Sequence, residues 1–168
     1  VRSLLPHLPH QGLSIQSLRD AFPAEHARWV TTGTLIVGEN LHQLLSLYSD
    51  QGDSITDLTL YYGYKDGDGG AVHIEYYSDP VFHNVNFSGN NCEGHGGAIW
   101  CFDHCSPVLS DVNFTYNNSG NTGGALYSQK NDSVFIDQAN FLSNTSLNAG
   151  GAVQAGYDEF FWMRDVYF

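Results

Sequence analysis

Positive charge is scarce in this chain of 168 residues: six Lys and Arg stand against 18 Asp and Glu, a formal net charge of −12. Such a surface repels polyanions, so neither nucleic acid nor an anionic bilayer is an expected partner. No apolar run is long enough to cross a bilayer, and no membrane insertion is expected of this segment. Cysteine is sparse too. Three thiols do not form a closed disulfide set, and a Cys101–Cys105 or Cys92–Cys101 bridge requires a turn that brings the Cα atoms within about 7 Å. Charged residues of both signs make up only 14% of the chain, with 14% aromatics and 18 glycines, which sets it apart from a disordered acidic tail.

What the chain has in quantity is repetition. Gly-Gly-Ala followed by Val, Ile or Leu begins at Gly69, Gly96, Gly123 and Gly150, each 27 residues after the last. Phe-x-x-Asn keeps the same step at Phe87–Asn90, Phe114–Asn117 and Phe141–Asn144, and Phe168 falls on the next beat. A fixed period without insertion is the mark of a solenoid. Stacking the repeats gives apolar columns: Val72, Ile99, Leu126, Val153, and two residues on Ile74, Cys101, Ser128, Ala155. A second run gives Phe82, Leu109, Phe135 or Ile136, and Trp162 or Met163; a third gives Val85, Val112, Ala139, Val166 and then the phenylalanines. Alternation within the first and third runs is the period of a strand with one face buried. Asn84, Asp111, Gln138 and Asp165 lie between the second and third runs and suit a tight bend.

These columns predict an all-β chain, a right-handed parallel β-helix with three short strands per 27-residue coil, rising by about 4.8 Å per coil. A sandwich would not hold one register from coil to coil. The glycine pair marks a sharp turn with φ above zero, and the asparagine column tolerates left-handed backbone and can bond up the stack. Residues 1–33 read as an N-terminal extension and small cap, partly helical, with short helices at 14–22 and 23–29; such a cap would cover the open strand edges. The β-helix covers 34–168, opening with a strand at Thr34–Val37 and regular from about Ile55. Residues 41–48 fit either a helical face or a degenerate coil, the coil being favoured because Leu45 and Leu47 precede Val72 and Ile74 by 27. The chain begins with Val1 and ends inside a coil, as a piece of a longer protein would.

The pairing of Gly96–Ile99 with Phe114–Asn117 resembles the repeats of the polymorphic outer membrane proteins, over about residues 55–168. The resemblance implies a chlamydial-type autotransporter passenger, a pectin-lyase-like β-helix at the cell surface or outside the cell, acting as an adhesin toward a glycan or a host or neighbouring surface protein.

The residues themselves suggest where contact would occur. Between the core positions of the first strand, an outward column reads His73, Trp100, Tyr127 and Gln154, flanked by Glu75, Phe102 and Gln129. Rings facing solvent one above another offer flat faces to sugars and anchors to proteins, or merely stabilise the ladder. Asp66, Asp68 and Glu93 fall within one coil spacing and could supply oxygen ligands to Ca²⁺; a solvated acidic turn is the plainer reading, and no other cofactor is expected. Cys92, His95, Cys101, His104 and Cys105 match no standard zinc-finger spacing. The same architecture serves polysaccharide lyases and glycoside hydrolases, so an enzyme is the rival reading, and a structural spacer the third. The repeat region offers only Lys65, Lys130 and Arg164 as basic groups, and its even spacing leaves no long loop to wall a cleft. Lys130 stacks on Asp103 and Arg164 on Asp137, as ladder ion pairs. The Asn-x-Ser/Thr matches at Asn86, Asn113, Asn117, Asn131 and Asn144 matter only in a glycosylating pathway.

Overall fold

The computed structural model describes residues 34–49, 54–130, 132–157 and 159–168, and the two N-terminal helices expected at 14–22 and 23–29 lie outside them. The described residues contain strands and turns and no helix. Every strand pairing is parallel, and the strands form three sheets that run along a solenoid.

Each of four full coils contributes one strand to each sheet, and the strands at the two ends add to the first and second sheets alone. The first sheet holds β2 (Leu45–Tyr48), β5 (Val72–Glu75), β8 (Ile99–Phe102), β11 (Leu126–Gln129) and β14 (Val153–Ala155). The second holds β3 (Ser54–Tyr61), β6 (Val81–Ser88), β9 (Val108–Thr115), β12 (Ser133–Leu142) and β15 (Phe160–Tyr167), with β1 (Thr34–Val37) on its outer edge. The third is made of the two-residue strands β4 (Tyr64–Lys65), β7 (Asn91–Cys92), β10 (Asn118–Ser119) and β13 (Thr145–Ser146). Residues 45–48 are the degenerate coil and not a helix: Leu45 pairs with Val72 and Leu47 with Ile74.

Three strands per coil stand, but they are divided differently from the sequence expectation. The second and third apolar runs are two arms of one long strand, bent at a residue of left-handed backbone: Asn84 (φ 53°), Asp111 (φ 52°), Gln138 (φ 55°) and Asp165 (φ 52°). The remaining strand is the pair Asn91-Cys92 and its equivalents, whose short polar residues carry no hydrophobic alternation to reveal it. Where the second run was ambiguous, Ile136 takes the inward place beside Leu109 and Phe135 is 38% exposed; Met163 pairs with Ile136 on the last strand and is itself 38% exposed.

The phenylalanine column is the axis of the core. Phe87, Phe114 and Phe141 stack at 4.6 and 4.7 Å between centroids, 5° and 4° from parallel, and Phe168 continues the stack at 5.2 Å. Phe87 and Phe114 are wholly buried, each contributing about 2–3 kcal/mol of transfer free energy. The spacing is not a choice of the rings. Parallel backbone ladders place Phe87 beside Phe114 and Phe114 beside Phe141, and the rings adopt that separation.

Asparagine forms a second internal file. The Asn90 backbone N–H and side-chain amide donate to Asn117 Oδ1 at 3.0 and 2.9 Å, and the Asn90 amide also donates to the Leu60 carbonyl at 3.1 Å. Asn117 repeats the pattern toward Asn144 and the Phe87 carbonyl. A buried turn is thereby satisfied where no sheet bond reaches. The expectation of left-handed asparagines is corrected by one residue: the positive φ belongs to the preceding position, Tyr62, Gly89, Tyr116 and Ser143.

The two glycines of each repeat serve different ends. Gly96 has φ 67°, which a side chain disfavours. Gly97 has ordinary backbone, but a Cβ there would stand 2.1 Å from the Gly124 carbonyl oxygen of the next coil and 2.5 Å from that of Asn118. The first glycine turns the chain; the second lets adjacent coils touch.

Candidate functional site

The first sheet carries the side chains singled out in the sequence. Parallel register aligns His73 with Trp100 and Trp100 with Tyr127, and likewise Glu75, Phe102 and Gln129. The column exists, but it does not face solvent as expected. Trp100 is 8% exposed and Tyr127 7%. Their rings lie down along the sheet: Trp100 packs against His73 at 4.3 Å and parallel to Phe102 at 5.0 Å, and His95 covers Tyr127 at 4.4 Å. The glycine turns press on the bases of these rings, since a Cβ on Gly69 would lie 3.2 Å from Trp100 Cβ and one on Gly123 3.0 Å from Tyr127 Cβ. The Tyr127 hydroxyl donates to Gln129 Oε1 at 2.8 Å. His73 Nε2 and Glu75 Oε2 are 3.1 Å apart, their side chains 16% and 14% exposed. These residues are a floor, well covered and mutually bonded.

What stands on the floor is a tyrosine ridge. Tyr48, in register with Glu75, stacks on His73 at 5.6 Å and meets Tyr76 at 6.2 Å. Tyr77 stacks on His104 of the next coil at 4.8 Å. Tyr48, Tyr76 and Tyr77 are 48%, 45% and 58% exposed. Tyr76 and Tyr77 both have φ 57°, a rare backbone for bulky side chains. It is held by a turn ladder, with Tyr76 N–H donating to the Phe102 carbonyl and Tyr77 N–H to that of Asp103. One coil on, Asp103 and His104 adopt the same left-handed pair. Strain of this sort costs about 1–3 kcal/mol per residue and persists where the surroundings enforce it.

Charge along the ridge is fixed by pairing. Asp103 accepts from His104 Nδ1 at 2.8 Å and is bridged by Lys130 Nζ at 3.3 Å, while Lys130 sits 4.8 Å above the Phe102 ring. His104, and after it Lys130, hold the Asp103 carboxyl below its usual range. Burial, reinforced by Glu75, pushes the Tyr48 phenol up, and a hydrogen bond to Glu75 does the same for Tyr76, so both remain hydroxyl donors at neutral pH. The ridge presents phenols, with one acid–base cluster at its edge.

Sequence reading missed this ridge because it followed the core columns. Tyr48 lay in the ambiguous stretch, and Tyr76-Tyr77 fell in a turn outside the strand pattern. The available signal was the doublet itself, two aromatic residues where the next repeat carries Asp-His.

The acidic turn is arranged for backbone support. Asp68 Oδ1 accepts from the His95 amide at 2.7 Å, and Glu93 accepts from the Tyr64 hydroxyl at 3.1 Å. Asp66, Asp68 and Glu93 do not form a metal-holding group: no cluster of three or more His, Cys, Asp or Glu side chains that could hold a metal occurs among the described residues. All three cysteines are free and buried. Burial pushes the Cys92 and Cys105 thiols up to about 12 and Cys101 well above the usual thiol range, which makes them poor thiolate ligands or nucleophiles. Of the basic groups, Lys130 is paired with Asp103, and Arg164 holds Asp137 through two bonds, Nε to Oδ1 at 2.8 Å and Nη2 to Oδ2.

Residues 84–101 and 111–129 each match the Chlamydia polymorphic membrane protein repeat. The matched stretches contain the Phe-x-x-Asn and Gly-Gly-Ala positions, so the likeness rests on residues that make the coil and not on the ridge. No curated protein and no solved structure matches the chain.

Proposed function

From two coils that carry the polymorphic membrane protein repeat on a parallel β-solenoid, we propose that this chain is a length of a surface-exposed passenger that presents an adhesion face to a protein on an apposed surface. The repeat family supports placement at the outer membrane or cell surface. The observation that carries the adhesive reading is the ridge of Tyr48, Tyr76 and Tyr77, exposed rings of which the last two stand on a turn whose amides bond to the carbonyls of the next coil. Tyrosine is the usual anchor of protein interfaces, because it combines a large apolar face with a hydroxyl and loses little entropy on docking. The chain's net charge of −12 favours a partner with a cationic face. In this reading Trp100, Phe102, Tyr127 and Gln129 support the ridge instead of touching the partner, with His73 and Glu75 between the two roles.

The test is retention of fluorescent beads bearing the 168-residue chain on cultured mammalian cells, untreated or shaved with protease. Tyr76→Asn with Tyr77→Asn removes both rings while keeping a residue that tolerates left-handed backbone. Retention should fall at least tenfold with an unchanged circular dichroism spectrum, and should fall equally on shaved cells. Full retention by the double variant would remove the ridge from the reading.

A further inference from the structure

A second surface, built from different residues, runs along the bend of the long strands. Each bend residue is exposed, while the next residue, Val85, Val112 or Ala139, turns into the core. The bend therefore throws one amide or carboxylate outward per coil. Two positions after the bend a parallel column follows in strict register, Asn86 beside Asn113, Asn113 beside Asn140, and Asn140 beside Tyr167. The two columns line an open groove of about 500 Å³, with Asn84, Asp111, Asn113, Gln138, Asn140 and Tyr167 on its walls.

The chemistry of that groove is narrow. Asn113 donates to Asn86 Oδ1 and Asn140 to Asn113 Oδ1, both at 2.9 Å, so the amides are oriented by one another. An amide has two N–H donors and two lone pairs, so each retains hydrogen-bonding capacity after its ladder bond. The array repeats at the coil spacing of about 4.8 Å. No basic side chain lines the groove, and its Asp111 and Asp165 disfavour an anionic ligand. Arg164 is committed to Asp137, and the His83 ring, outside the lining, stands 3.4 Å from Asp111 Oδ2. At one end the Tyr167 ring is 68% exposed, a flat face for the apolar side of a sugar. We propose that this groove binds an uncharged linear oligosaccharide lying along the solenoid axis, its hydroxyls meeting the repeated amides.

The experiment uses the 168-residue chain on an array of neutral, sialylated and sulfated oligosaccharides. Neutral linear glycans should be retained, and charged ones not. Asp111→Gly with Gln138→Gly deletes two side chains while easing the left-handed backbone, and should lower neutral-glycan binding at least tenfold with an unchanged circular dichroism spectrum. Should that variant fail to fold, Tyr167→Ala, at an exposed position, must produce the loss instead. The Tyr76→Asn, Tyr77→Asn variant should bind the array normally, which separates this site from the ridge. Retention of no neutral glycan, retention of charged glycans alone, or full binding by the folded groove variants would overturn the proposal.

Discussion

Replacing Phe114 by alanine is the most direct challenge to the stacked core. Its ring is wholly buried and is sandwiched at 4.6 and 4.7 Å between Phe87 and Phe141. Deleting a core phenylalanine costs about 3–5 kcal/mol when the site cannot collapse. Here it cannot, because ladder bonds on both sides hold the coils apart whatever fills the space. Two aromatic contacts are lost as well, each worth about 0.5–1.5 kcal/mol beyond area, so the upper end of the range, roughly 5 kcal/mol, is expected. Phe168→Ala is the internal comparison. That ring is 73% exposed and stacks on one side only, at 5.2 Å, so its loss should cost about 1 kcal/mol. The difference of about 4 kcal/mol is roughly a thousandfold in the folding equilibrium. Urea unfolding followed by far-ultraviolet circular dichroism reads it as a shift in midpoint at constant slope. A reduced slope for Phe114→Ala would mean that the coils on either side unfold separately. Equal midpoints for the two variants would refute the claim that a dry ring file holds the solenoid together.

The paired glycines give a sharper contrast at lower cost in volume. Gly97→Ala should destabilise by several kcal/mol, its Cβ meeting backbone at 2.1 Å, whereas Gly151→Ala, with its nearest neighbour at 3.6 Å, should leave the melting temperature within about two degrees. Asp132 governs a pH effect. Burial pushes its carboxyl up to about 6 despite bonds from the Cys105 amide and the Ser128 hydroxyl, so the folded value lies above the ordinary one of about 3.9. An ionised Asp132 therefore opposes folding, a penalty complete above about pH 6 and absent below about pH 4. The melting temperature should climb as pH falls from about 6 to about 4, and Asp132→Asn should flatten that climb; an identical slope in the variant would discard the assignment. Below about pH 4 the trend should reverse, as Asp103 and Asp137, held low by His104 and Arg164, become protonated and lose their pairing. Cys92, Cys101 and Cys105 should resist a thiol-specific dye at pH 8 in the folded chain and all react in denaturant; rapid labelling of the native chain would contradict their burial.

The 27-residue period determined the architecture before any coordinates. A residue type that recurs at one phase of an uninterrupted repeat must meet its equivalent one coil away, so the phenylalanine file, the glycine turns and the asparagine ladder were all legible from spacing alone. The coil of 45–48 was legible for the same reason, once Leu45 and Leu47 were placed before Val72 and Ile74. What spacing could not settle was where an outward side chain ends up. Period decides which face of a strand a residue leaves from, but not whether its ring then stands in water or lies down under a neighbour. Trp100 and Tyr127 leave the outer face and are nevertheless covered, by His73, His95 and the glycine turns. Tyr76 and Tyr77, in a turn with no pattern of its own, stand clear because left-handed backbone lifts them away from the sheet. The groove likewise depends on the bend that joins two apolar runs into one strand, a property of backbone angle that no column of residue types contains. Repetition fixed which residues are neighbours; only the packed coil decided which of them a partner could reach.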